Sequence, residues 1–340
     1  MRKLLNVLYV TTPESYLSKD GLNVVVSVNQ EEKFRIPIIN IEGIVTFGYM
    51  GASPGLMRLC ADNGVSLAFL SPSGRFIGRF QGPVQGNVLL RKAQYSIADD
   101  EEKSLHLSRL FIAGKIQNYR TILQRFVRDN GDNPEVSTAV KMLESEKKRV
   151  LSAESSSQLI GFEGNAANEY FGVFSHLILH QNEDFSFHGR NRHPPKDKVN
   201  AMLSFVYTLL ANETAAALET VGLDPYVGFL HKLRPGRQSL ALDLMEEMRA
   251  YLGDRLVLSL INRKQVSGRD FVDQGESSVQ MTDEGRKSLI SAWQKRKLET
   301  IVHPYLDEKI PIGLLPYVQA LLLARTIRGD IDDYPVFLIL

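Results

Sequence analysis

A single carboxylate stands where a helix should be apolar. With GFEGNAANEYF wound at about 100° per residue, Leu159, Ile160, Ala166, Ala167, Tyr170 and Phe174 share one arc, and Glu163 lies in its middle. A charge buried there without a partner is expensive, so Glu163 needs a cation, a metal ion or strong hydrogen bonds. A structural ion pair with an arginine meets that need as well as a functional site does. Gly161, Gly164, Ala166 and Ala167 remove bulk nearby, which leaves room for another backbone or a ligand.

A second group lies in GLDPYVGFLHKLRPGRQSLALDLMEEMRAYL. Gly222 suits the end of one helix, and Asp224-Pro225 suits the start of a short next one. His231 ends the apolar run that follows; a histidine in that setting is more often a satisfied core residue than a ligand. The helix after Arg237 carries Leu240, Ala241, Leu242, Leu244, Met245, Met248 and Leu252 on one face, and Ser239, Asp243, Glu246 and Glu247 on the other. Asp243 is one turn from both Glu246 and Glu247, and like charges at that spacing repel mildly. Either this is an ordinary solvated face or a divalent cation relieves the repulsion. Basic residues flank both groups: Arg190, Arg192, Lys196 and Lys198 before a helix that Asp197 can cap, and Lys232, Arg234 and Arg237 beside His231. Arginines next to an acidic metal cluster suit a phosphodiester substrate.

The elements that must position these groups fall into two regions. Through residue 95 the apolar residues alternate with period two, in LLNVLYV, LNVVVSV, FRIPIINIEGIVTFG, VSLAFLS and RFIGRFQG. Turn signals at Lys19-Asp20-Gly21 and Ser73-Gly74 separate them, and one helix-like stretch spans about Ser53 to Asn63. From residue 96 to 340 the period is helical. The acidic run Asp99-Asp100-Glu101-Glu102 favours a helix start. Further helices are expected at about 135–152, 154–180, 197–220, 238–252, 282–303 and 313–328, with a hairpin or loop at 263–281. The expectation is an α+β protein: a small mainly-β domain over 1–95, with exposed edges suited to dimerisation, then a larger all-α domain over 96–340.

Composition narrows the class without choosing the substrate. The 340 residues are 44% hydrophobic and 23% charged, with a net charge of +1. Residues 1–95 hold ten Lys and Arg against six Asp and Glu, so the charge is uneven, and a local patch suffices for a polyanion. The single Cys60 excludes an internal disulfide and a thiolate metal site; as a small buried hydrophobe it suits a reducing cytoplasm. No stretch approaches eighteen consecutive apolar residues, so no membrane span is expected. P-loop, GxGxxG, HExxH, GxSxG and CxxC motifs are all absent, which removes Walker-type nucleotide hydrolysis and serine or zinc protease chemistry.

Together, GFEGNAANEYF, RNRHPPKDKVNAMLSFVY, GLDPYVGFLHKLRPGRQSLALDLMEEMR, TDEGRKSLISAWQKRK and LLPYVQALLLAR resemble the CRISPR-associated adaptation integrase family, the larger of the two universal spacer-acquisition proteins. The resemblance covers nearly the whole chain. It implies a dimerising β domain, a helical catalytic domain, and a Mg²⁺ or Mn²⁺ site built from a Glu, a His and a further acid. Carried over by position, these are Glu163, His231 and Glu246. The last is chosen because the family's third ligand sits one helical turn beyond an acidic position matching Asp243, which stands as second candidate or outer support. Family members often have an arginine where His193 stands here, so that position has no assigned role. The implied reaction joins 3′-hydroxyl ends of short foreign DNA fragments to the CRISPR repeat by transesterification. The implied partners are DNA, held through Arg190, Arg192, Arg234 and Arg237, a second copy of the chain, and the small second adaptation protein. Two rivals remain: a metal-dependent nuclease acting on DNA repair intermediates, and a non-catalytic DNA-binding scaffold.

Overall fold

The computed structural model describes residues 6–12, 14–48, 50–72, 76–80, 82, 88–191, 194–273, 275 and 278–339. The turn signal at Ser73-Gly74 and the positions Arg192 and His193 lie outside them. The period-two runs supply β1 (Val7–Val10), β3 (Asn23–Val28), β4 (Glu31–Pro37), β5 (Gly43–Phe47), β6 (Ser66–Leu70) and β7 (Phe76–Phe80), with α1 (Pro54–Asp62) between β5 and β6. Strand β2 (Ser15–Asp20) lies in none of those runs and takes in Lys19 and Asp20, expected in a turn. Strands β2, β3 and β4 make an antiparallel meander, and Gly21 takes the left-handed φ of 57° that its first turn requires. The other sheet has the order β1-β5-β6-β7, parallel except for its last pair. Ser53 caps α1, its Oγ accepting from the Leu56 N–H. Cys60 is buried on that helix, and burial pushes its thiol up to about 12.

All five residues of β5 are buried because both faces of its sheet are covered. Ile44 and Leu67 face a small core shared with Leu17, Val24 and Leu56. Val45, Phe47, Ala68 and Leu70 join the large helical core, where Phe47 stacks on Phe205 at 5.6 Å. One face of this sheet therefore packs into the helical core, and its other face closes the separate core of the β region.

The helical region comprises α2 (Val88–Asp99), α3 (Glu101–Asn130), α4 (Pro134–Leu151), α5 (Ser156–Gly172), α6 (Lys198–Val221) and α7 (Ser239–Met248). A π-helical turn, Arg249–Asp254, runs into α8 (Arg255–Asn262). The hairpin β8 (Phe271–Asp273) and β9 (Val279–Met281) follows, then α9 (Asp283–Leu298), the hairpin β10 (Thr300–His303) and β11 (Glu308–Pro311), and α10 (Leu315–Arg328). Asp100 caps α3 and Asp197 caps α6, as their places in the sequence indicate, and Gly222 closes α6 at φ 91°. By length and composition alone α6 is apolar enough to cross a membrane, but 67% of that window is buried inside this protein.

Three local expectations are corrected. The helix expected over 154–180 ends at Gly172 and passes into a short 3₁₀ turn. The helix expected to reach 303 stops at Leu298, and β-branched Thr300-Ile301-Val302 pair as a strand. No helix starts at Pro225. Its main-chain groups bond instead to side chains of other elements: Gln94 Nε2 donates to Asp224 O and Val227 O at 2.8 Å, and Ser104 Oγ donates to Phe229 O at 3.0 Å.

Helix α3 is the axis of this region, packed against α4, α5 and α7. Its buried Asn118 donates to Glu247 O and Phe337 O and accepts from the Ile339 N–H. Glu247 fastens the same C-terminal segment, accepting from Tyr334 Oη, from Gln319 Nε2 at 2.9 Å and from the Phe337 N–H at 2.6 Å. Burial outweighs these donors and pushes the Glu247 carboxyl up to about 7. A raised carboxyl means that the folded state favours the protonated form. Its stabilising contribution is complete below the ordinary carboxyl range and is lost as pH rises through about 7. Urea melts between pH 4.5 and 8 should show stability falling over that window, and Glu247→Gln should flatten the fall by up to about 3 kcal/mol.

Candidate active site

Glu163, on α5, and Glu246, on α7, converge on one ammonium group from α3. Lys115 Nζ hydrogen-bonds Glu163 Oε1 and lies 2.9 Å from Glu246 Oε2. The Lys115 and Glu246 side chains are each 4% exposed, whereas Glu163 keeps 26%. Arg249, at the start of the π-helical turn, reaches Glu246 Oε1 at 3.0 Å. Burial opposes ionisation of Glu246, but the contacting Arg249 and Lys115 hold its carboxyl well below the usual range. Even so, Glu246 Oε2 receives no well-aligned hydrogen bond. The structural alternative for Glu163 was a pair with an arginine; the cation that meets it here is a lysine.

The acidic face of α7 is buried, not solvated: Asp243 and Glu247 have no exposure and Glu246 has 3%. Each carboxylate serves a different neighbour. Asp243 accepts the main-chain N–H groups of Phe229, Leu230 and His231, at 2.7, 3.0 and 3.1 Å. Its Oδ1 also lies 2.5 Å from His231 Nδ1. A carboxylate so occupied can only accept, so Nδ1 carries the ring proton and the Nε2 lone pair stays available. Asp243 is thereby occupied in holding the 229–231 main chain and the His231 ring. Glu247 faces the C-terminal segment, away from Glu246.

Of these groups, Lys115, Glu163 and Arg249 border a cleft of about 830 Å³ whose walls also include Arg190, Tyr207 and Arg237; Glu246 and His231 lie behind that wall. Arg190 donates to Asn200 Oδ1 and Ser204 Oγ, and both Arg190 and Arg249 lie over the Tyr207 ring, at 5.3 and 5.0 Å. Arg234 is exposed and outside the cleft lining. Gly164 lines the cleft, and no atom would meet a Cβ there or at Gly161, so the small residues leave open space and admit no second backbone. The donor chemistry of Glu163, Glu246 and His231, two carboxylates and one imidazole, suits Mg²⁺ or Mn²⁺. The poorly bonded, buried Glu246 Oε2 fits the same cation. Among the described residues, though, no three His, Cys, Asp or Glu side chains are gathered closely enough to hold an ion.

The family described as CRISPR associated protein Cas1 matches residues 8–295. The chain belongs to the Cas1 family. The CRISPR-associated endonuclease Cas1 1 of Chlorobaculum tepidum is 50% identical over 340 residues, covering 99% of both chains. Two solved structures share the fold at 22% identity. A casposase bound to its integration product has a TM-score of 0.84, over 96% of this chain and 92% of its own. A Cas6-RT-Cas1–Cas2 complex also has a TM-score of 0.84, over 98% of this chain and 36% of the matched one.

For this Cas1 chain the sequence reading missed Lys115, Arg249 and Tyr207. Lys115 had a signal of the same kind as Glu163: it falls among Phe111, Ile112, Tyr119 and Ile122 on the buried stripe of α3. The loop that presents His231 depends on Gly228. A Cβ there would stand 2.5 Å from Asp243 Oδ2 and 2.9 Å from Leu240 N. Gly228→Ala should therefore lower stability by roughly 1–3 kcal/mol. Asp243→Asn, which turns an amide NH₂ towards main-chain donors, should cost a similar amount. Thermal melting in chelator checks both; an unchanged Gly228→Ala would mean that the loop is not closed against α7.

Proposed function

We propose that this chain is the integrase of CRISPR adaptation, joining 3′-hydroxyl ends of short foreign DNA fragments to the CRISPR repeat by Mg²⁺- or Mn²⁺-dependent transesterification. One observation carries the reading: two carboxylates from separate helices share a single cation at the wall of a cleft lined by arginines. Membership of a family whose relative is named an endonuclease supports phosphodiester chemistry, and the fold shared with a casposase on its integration product supports strand joining.

Glu163, Glu246 and His231 Nε2 would hold the ion. A bound divalent ion lowers the pKa of an attacking hydroxyl and neutralises charge developing on the phosphate. Asp243 keeps the imidazole in the tautomer that leaves Nε2 free. Arg249 holds Glu246 ionised at neutral pH. Arg190 and Arg237, on the cleft wall, would grip flanking phosphates, with Arg234 reaching DNA outside it and Arg192 as a further proposed contact. A second copy, joined through the β region, would complete a cytoplasmic assembly. Its other partner would be the small second adaptation protein, in keeping with the Cas1–Cas2 complex that shares this fold.

A purified sample given Mn²⁺, a fragment with 3′-hydroxyl ends and a repeat duplex should yield joined strands, and none in chelator. Cleavage without joining would make the protein a nuclease. Glu163→Ala and His231→Ala should each abolish joining, and Asp243→Asn should reduce it by about 10–100-fold. Glu246→Gln should inactivate, whereas Glu247→Gln should stay active; the opposite result would move the third ligand. Replacing Arg234 and Arg237 together should flatten the slope of log K against log salt by about 0.9 for each phosphate no longer neutralised. An unchanged slope and affinity would remove both from the DNA surface.

A further inference from the structure

Lys115 is the one member of this cluster that the proposed chemistry leaves without a task. We infer that its ammonium is the resident counter-cation of the site, and that it and a divalent ion are alternative occupants of the space between Glu163 and Glu246. The inference rests on the metal reading above and goes beyond it by naming what the ion must displace.

Charge balance favours exchange over addition. Glu163 and Glu246 bring two negative charges, and Lys115 and Arg249 bring two positive ones, all in direct contact. The cluster is neutral as it stands. A divalent ion added beside a retained ammonium would leave a positive surplus, even counting the Asp243 carboxylate that bonds His231, around side chains that are 4% exposed, where repulsion is only weakly screened. Geometry points the same way. Lys115 Nζ bonds the one carboxylate and contacts the other, so it occupies the position from which an ion would reach both. That intrusion also accounts for the failure of Glu163, Glu246 and His231 to gather as a closed ligand set.

The lysine has somewhere to go. Its side chain lines the cleft of about 830 Å³, whose wall at Gly164 is open space. A four-carbon stem with freely rotating bonds can carry the ammonium there, whereas Arg249 is stacked over Tyr207 and stays with Glu246. In the cleft the displaced ammonium meets a DNA phosphate between Arg190 and Arg237. Metal loading and phosphate binding are thereby coupled through one side chain: the ion frees the lysine, and the freed lysine holds the backbone. Lys115 is a substrate-binding residue in this scheme, and it remains intact throughout.

Two measurements test it without reading activity. The first uses the wild-type protein, acetylated briefly with N-hydroxysuccinimidyl acetate in Mn²⁺ or in chelator, with Lys115 quantified by mass spectrometry. Labelling of Lys115 should rise at least several-fold in Mn²⁺ while exposed lysines such as Lys103 stay constant; no rise would overturn the inference. The second compares Mn²⁺ affinity by titration calorimetry. Lys115→Met should bind Mn²⁺ about tenfold or more tightly than wild type, and its melting temperature should be lower in chelator and rise further with Mn²⁺. Equal or weaker binding by Lys115→Met would overturn the inference. Failure of the metal reading looks different: wild-type affinity for Mn²⁺ would then be unchanged by Glu163→Gln and Glu246→Gln.

Discussion

Four charges in contact, on three helices and the π-helical turn that follows one of them, set the terms for the rest of this molecule. Placing Lys115 and Glu246 at 4% exposure is tolerable only while each has its partners, because a buried ion left alone costs several kcal/mol. Helices α3, α5 and α7 must therefore keep one relative register, and much of the neighbouring packing serves that end. Tyr119, one turn beyond Lys115, stacks on Tyr170 of α5 with ring centres 3.8 Å apart. Asn118 ties α3 to the carbonyl of Glu247 on α7. The charge cluster contributes little net stability by itself; what it contributes is alignment, since a slip of one turn would strand a charge.

The carboxylates were legible in the sequence because they break a pattern: Glu163 interrupts an apolar arc, and Asp243, Glu246 and Glu247 crowd one face of a helix. Their surroundings were not legible. That face of α7 reads as solvated because the groups covering it come from elsewhere in the chain. Phe337, Tyr334 and Gln319 lie more than seventy residues on, and the 228–231 loop folds back over Asp243. The same blindness produced the helix expected after Pro225. Local propensity favours a helix start there, but Gln94, Ser104 and Asp243 already satisfy the main chain in an irregular path, and none of them is a sequence neighbour.

The β region shows the converse. Period-two alternation located most of the strands but missed β2 and ran β4 and β5 together, and β5 is buried on both faces and so does not alternate between core and solvent. Its run of apolar residues marks the layer where meander and helices meet. The sheet is thus a floor under the helical core as much as part of a separate β unit, which is why Phe47 can stack on Phe205 of α6.

One further junction bears on how the chain assembles in time. Glu213, on α6, accepts hydrogen bonds from Tyr9 of β1 and from Trp293 and Lys297 of α9, at 3.2, 2.9 and 2.8 Å. Tyr9 precedes Glu213 by 204 residues, and Lys297 follows it by 84. During synthesis at about 5–20 residues per second, the first strand is made at least ten seconds or so before α9 leaves the ribosome. For much of that interval, until α6 is made, the apolar face of the β1-β5-β6-β7 sheet lacks its cover, and Glu213 then waits for its cation until α9 follows. Contacts of such long sequence separation form slowly, so the nascent N-terminal half is the stage most exposed to aggregation, and its final docking waits on residues near the chain's end.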